Sequence, residues 1–64
     1  MSKIAAALKQ AREARGLSLA QVAEAVGIDE ARLTEIEIGR DEPTFVEGME
    51  LLEFFDLEPD AILA

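Results

Sequence analysis

Fourteen carboxylates and six cations make up nearly all the ionisable chemistry of this 64-residue chain, which has no Cys and no His. Without them, disulfides are impossible, and a zinc site or a thiol or imidazole catalyst is not expected. Carboxylates can hold calcium or act as acid and base, but only at suitable spacing. The adjacent pairs Asp29-Glu30 and Asp41-Glu42 do not follow the calcium-loop pattern. No nucleophile paired with a base is visible either. The expectation is therefore no catalytic residue, no metal ligand and no cofactor. What remains is polar recognition, and the stretch that bears on it is "IDEARLTEIEIGR", Ile28 to Arg40. Its apolar residues and its glycine are at helical spacing, while Asp29, Glu30, Glu35 and Glu37 make its polar side strongly acidic.

The charge is unevenly spread. Residues 1–17 sum to +3, residues 18–44 to −5, and residues 45–64 hold six acids and no base, for a net charge of −8. A nucleic-acid binder normally presents a basic face, and here only the N-terminal segment is basic. The plain alternative is a solvated acidic surface. Half the residues are hydrophobic, enough for one small core near the lower size limit of an unstapled domain. The aromatics are three Phe, so the Trp and Tyr that usually anchor interfaces are missing. The longest apolar run, "IAAAL", is far too short to span a bilayer. No secretory signal is visible, and a cytoplasmic protein without a membrane partner is the expectation.

Five short helices are expected to carry these residues. "KIAAALKQAREAR" is built from strong helix formers, with Ile4, Leu8, Ala11 and the stem of Arg15 at helical spacing, and Gly16 ends it. Ser18 and Gln21 form a capping box for a second helix, Leu19 to Val26, with Leu19, Val22, Ala23 and Val26 inward and Gly27 as its stop. Asp29 should cap a third helix, about Glu30 to Ile38, with Leu33 and Ile36 buried and Gly39 ending it. "RDEP" reads as a turn. Thr44 and Glu47 form a second capping box, opening a helix from Phe45 to about Phe55 with Phe45, Met49, Leu52 and Phe55 (or Phe54) toward the core. Gly48 within it points to close packing. "LEPDAILA" reads as a short last helix with Pro59 at its first position. The fold class is all-α, a single domain over residues 1–64.

Two short helices joined at a glycine are the helix-turn-helix unit, here about residues 18–38. Its fixed offsets are Val22-Ala23, Gly27-Ile28, Leu33, Ile36-Glu37, Gly39 and Pro43-Thr44. With them, "LSLAQVAEAVGIDEARLTEIEIGRDEPTF" resembles the Cro/C1-type (XRE) helix-turn-helix family of phage-repressor-like domains. Upstream "LKQAREARG" resembles the family's first helix and "LLEFFDLEPDAIL" its last two, so the resemblance covers nearly the whole chain.

The resemblance implies a lambda-repressor-like fold and a transcriptional regulator binding double-stranded DNA, often as a dimer on two half-sites. It implies a partly buried ion pair between Arg12 and Glu37, structural in purpose. It places Glu30, Ala31, Arg32, Thr34 and Glu35 on the groove-facing side of the third helix, with Arg32 and Thr34 as base-contact candidates. Ser18, Arg40 and Thr44 fall at phosphate-contact positions. Several of these positions depart from the family pattern. Family members that bind DNA mostly carry polar or basic residues along that face, whereas Glu30 and Glu35 offer no phosphate attraction. The Gln that often begins the second helix is Leu19, the often basic loop is Asp41-Glu42, Ile38 replaces a polar residue, and Asp56 stands where a Gly usually caps the fourth helix.

Weak or lost DNA affinity follows from these departures, because phosphate contacts supply most ordinary binding energy. Three other readings stay open. Some relatives with Leu at the Leu19 position and a "REARGLSL"-like opening use this fold to hold a cytoskeletal protein, so the chain fits an acidic protein-interaction module. Its strong caps and helix formers also suit an engineered sequence written onto a repressor-like backbone for stability alone. A regulator adapted to high salt would tolerate such acidity through screening. Ile38, Phe54, Phe55, Ile62 and Leu63 are the candidates for a homodimer contact or, singly, for completing the core.

Overall fold

The computed structural model describes residues 3–58. Among them the backbone forms α1 (Lys3–Ala14), α2 (Leu19–Val26), α3 (Glu30–Glu37) and α4 (Phe45–Phe54), with no strand. Among the described residues the architecture is all-α with four helices rather than the five expected of the whole chain. The expected last helix, together with Ile62 and Leu63, falls on residues outside those described.

Local chemistry sets the helix ends. The Ser18 hydroxyl accepts from the Gln21 N–H at 3.1 Å while the Gln21 side chain accepts from the Ser18 N–H at 2.8 Å. Thr44 and Glu47 repeat the same reciprocal pattern at the start of α4. Each box satisfies two N–H groups that a helix start leaves without partners. Between α2 and α3 the chain turns at Gly27, whose φ of 76° is left-handed backbone that costs a glycine little. There the N–H groups of Gly27 and Ile28 both donate to the Ala23 carbonyl, at 2.9 and 3.0 Å. After α4 the left-handed position is taken by Asp56, with φ 55°. Leu57 N–H donates to Leu52 O at 2.8 Å, so the helix still closes as it would with glycine. Asp29 holds the N-cap position of α3, but its carboxylate makes no cap hydrogen bond. It is exposed, so solvent can serve the N–H groups it leaves open.

The core lies where all four helices meet. Leu8 of α1, Val22 of α2, Leu33 and Ile36 of α3 and Leu51 of α4 are fully buried, and Ile4, Ala23, Val26, Leu52 and Phe55 complete the cluster. Leu19 and Ala11 are half-buried against it. Arg15 lies beyond α1, and its guanidinium donates to the carbonyls of Phe54 and Phe55 (3.3 and 2.9 Å) with its carbon 5.4 Å from the Phe55 ring centroid. It thus binds the C-terminal end of α4, where a cation complements the helix dipole.

The inward face of α4 differs from the expected one. Phe45 is 83% exposed and Met49 is also exposed, while Gly48, Leu51, Leu52 and Phe55 face inward. Nearly every turn of α4 offers apolar residues on more than one side, so periodicity alone did not choose between them. The line Gly48–Leu51–Leu52–Phe55 is the one that lies against the core, with Leu51, Leu52 and Phe55 in the buried cluster. The close packing expected at Gly48 does not require a glycine, because a Cβ built there would meet nothing nearer than Ile4 Cδ1 at 4.0 Å, an ordinary contact. Gly48→Ala is therefore expected to stabilise the domain by about 1 kcal/mol through helix propensity, read as a higher urea midpoint at unchanged slope.

Candidate nucleic-acid interface

α1, α2 and α3 are fastened by one partly buried ion pair. Arg12 Nε donates to both carboxylate oxygens of Glu37, at 2.9 and 3.2 Å, and Arg12 Nη1 donates to the Leu17 carbonyl at 2.9 Å. The Glu37 side chain is only 5% exposed and that of Arg12 14%. The hydrogen bond to Glu37, more than the opposing desolvation, raises the Arg12 pKa above its ordinary value. Neither residue can be exchanged alone without leaving its buried partner unpaired.

On the outer side of α3, Glu30, Ala31 and Arg32 lie along the first turn, and Thr34 and Glu35 follow. Glu30 and Ala31 are exposed. Thr34 turns its hydroxyl back to donate to the Glu30 carbonyl at 2.9 Å, so its one proton is already used within the helix. Glu35 is half-exposed, and Arg40 lies 3.7 Å from it as a loose, solvent-screened pair. Ser18 and Thr44 are exposed, but both hydroxyls are engaged as helix caps. The structure thus sets Ser18 and Thr44 at helix starts and Arg40 in the turn after α3, where it is near Glu35.

Arg32, the single base of α3, is held within the protein. Its Nε and Nη2 donate to the two carboxylate oxygens of Glu47 at 3.2 and 2.9 Å. Nη2 also donates to the Glu42 carbonyl at 2.9 Å, and Nη1 donates to the Asp41 carboxylate. Every nitrogen of the guanidinium has a partner in the 41–47 segment. Arg32 therefore joins α3 to the start of α4 instead of projecting outward. Glu47 and Asp41 escaped the sequence reading as partners of Arg32. Glu47 was legible only as a capping residue, and a pairing across 15 residues leaves no periodic trace. The Arg32 hydrogen bonds come first among the causes that push Glu47 down to about 2, and the Thr44 N–H adds to them. Hydrogen bonding to Glu47 likewise raises Arg32.

Two short helices crossing at a left-handed glycine, with a first helix packed behind them, are the geometry of a repressor-type helix-turn-helix. A family model described as helix-turn-helix matches residues 8–62. The chain belongs to the Cro/C1-type helix-turn-helix family. No curated protein and no solved structure matches the chain. In this helix-turn-helix domain no helix of the described residues is long and apolar enough to cross a membrane. Among those residues, no group of three or more carboxylates is placed to hold a metal ion.

Arg12→Met strands the Glu37 carboxylate and is expected to destabilise the domain by about 3–5 kcal/mol, whereas Arg12→Met with Glu37→Leu should recover most of that loss. Chemical denaturation of both variants would measure it. For Glu47, folding favours the charged form, so its contribution is complete above the unfolded value near 4.5 and is lost as pH falls through about 2. Glu47→Gln keeps an acceptor for the Thr44 N–H but drops the charge. Its acid-unfolding curve is expected to be flatter than that of the parent between pH 4.5 and 2.

Proposed function

We propose that residues 1–64 act as one DNA-binding regulator domain, with a helix-turn-helix unit at about 18–38 and low, strongly salt-dependent affinity for double-stranded DNA. Family membership supports the regulator class. The single observation behind the low affinity is the state of Arg32, each of whose three guanidinium nitrogens already donates to Glu47, Asp41 or Glu42. A guanine contact would have to break that network first. Glu30 and Glu35 repel phosphate beside it, and Asp41 and Glu42 do so from the loop that should follow the backbone. Arg40 is the exposed base of this face, held only loosely by Glu35, and is the phosphate contact. Ser18 and Thr44 contribute through their exposed cap positions, and Ala31 offers a small apolar contact to a thymine methyl group. Thr34 reaches a base edge once its hydroxyl leaves the Glu30 carbonyl. The chemistry requires no cofactor, and the domain is not an enzyme.

Fluorescence anisotropy against pooled random duplex DNA, at about 50 and 200 mM salt, tests this reading. Weak binding that falls with salt is expected, with Arg40→Ala weakening it further. Asp41→Asn with Glu42→Gln should tighten it at the lower salt, by removing two charges that oppose phosphate. Absence of binding at low salt up to about 100 µM protein, the weak end of non-specific affinity, would sink the proposal.

A further inference from the structure

The apolar residues that α4 leaves outside the core form a surface that the DNA-facing side does not use. Phe45 and Val46 are 83% and 63% exposed, and Met49 is exposed as well. Helical spacing puts Met49 one turn from both Phe45 and Val46, so the three side chains share one face. Acids bound that face. Glu42 precedes it, and Glu50 and Glu53 continue it one turn beyond Val46 and Met49; all three are exposed. Glu50 and Glu53 also line a cleft of about 260 Å³ whose other walls are Ala25, Val26 and Phe54. Ala25 and Val26 are the last residues of α2, the end of a helix that favours a cation.

We propose that the outer face of α4 is a docking surface for a basic amphipathic helix of a partner protein. The apolar side of such a helix covers Phe45, Val46 and Met49. One of its Lys or Arg side chains enters the cleft, with its aliphatic stem on Val26 and Phe54 and its charge beside Glu50 and Glu53. Charge decides against the other occupants. A second copy of the chain would set Glu42, Glu50 and Glu53 against the same acids, in a molecule of net charge −8. Nucleic acid carries the same sign. Neither objection applies to a cationic helix, whose encounter with an acidic face is accelerated at low salt. Apart from Glu42, which the DNA reading also uses, the residues of this surface lie on α4 and the end of α2, outside the α3 face.

The test uses the whole chain and an 18-residue helical peptide with Leu on one side and Lys on the other. Isothermal titration and amide chemical-shift mapping are run in parallel, with a Leu-to-Ser version of the peptide as control. Binding is expected, with shifts concentrated at residues 42–53 and at Ala25 and Val26. Phe45→Ser with Val46→Ser should weaken it by about tenfold or more, the loss expected for a central apolar anchor. Both residues are exposed, so thermal melting of that variant should not change. Glu50→Gln with Glu53→Gln should also weaken binding, and Glu13→Gln on α1 should not. Equal binding of the Leu-to-Ser peptide, shifts scattered over all the acids, or an unchanged affinity for the Phe45/Val46 variant would overturn the proposal. So would sedimentation showing that Phe45 and Val46 mediate a dimer of this chain.

Discussion

The buried pair of Arg12 and Glu37 is the constraint around which the domain is organised. A chain of 64 residues buries only a small core, so a single buried polar contact is a large share of what holds its helices in place. Here one guanidinium holds α1 to the end of α3 and, through the Leu17 carbonyl, to the turn that begins α2. The angle between α2 and α3 is then set from behind as well as by the glycine turn. Buried charges penalise any packing that separates them, so the pair acts on specificity as much as on stability. An apolar contact in the same place would tolerate sliding.

The surface pairs follow another logic. Arg32 is bonded on all its nitrogens to residues 41–47, which ties the loop after α3 to the start of α4. Its charge is consequently spent on holding two elements together and is withheld from a ligand. Asp29 and Glu30 at the start of α3 have a similar double effect. They complement the helix dipole, worth about 0.3–1 kcal/mol each, and they close the helix N-terminus to phosphate. Groove recognition and local stability compete for the same few positions, and in this domain stability holds them. The apolar residues Phe45, Val46 and Met49 on the outer side of α4 are likewise left in solvent beside exposed acids.

Much of the fold was legible before any coordinates. Capping boxes at Ser18/Gln21 and Thr44/Glu47, and the left-handed stop at Gly27, depend on residues three or four apart, a distance at which backbone chemistry is local. The buried positions of α2 and α3 were also readable, because each helix has one clear apolar line. α4 was not, for the opposite reason. Phe45, Val46, Met49, Leu51, Leu52 and Phe54 surround the helix, and a pattern that is apolar on several sides names no inward face. Asp29 takes the N-cap position that its residue type marks, but its carboxylate makes no cap hydrogen bond.

By itself the sequence determined where α1 to α4 begin and end to within a residue or so, which residues of α2 and α3 go inward, and the acidic sign of the α3 face. These follow from propensity, capping and charge, which act over a turn or less. Only the tertiary structure decided that Gly48, Leu51, Leu52 and Phe55 form the buried side of α4 and that Phe45 and Val46 remain in solvent. It alone joined Arg32 to Glu47 across 15 residues. The reason is physical: which apolar face is covered, and which carboxylate meets a given guanidinium, depend on how whole helices cross, and no residue spacing encodes that crossing.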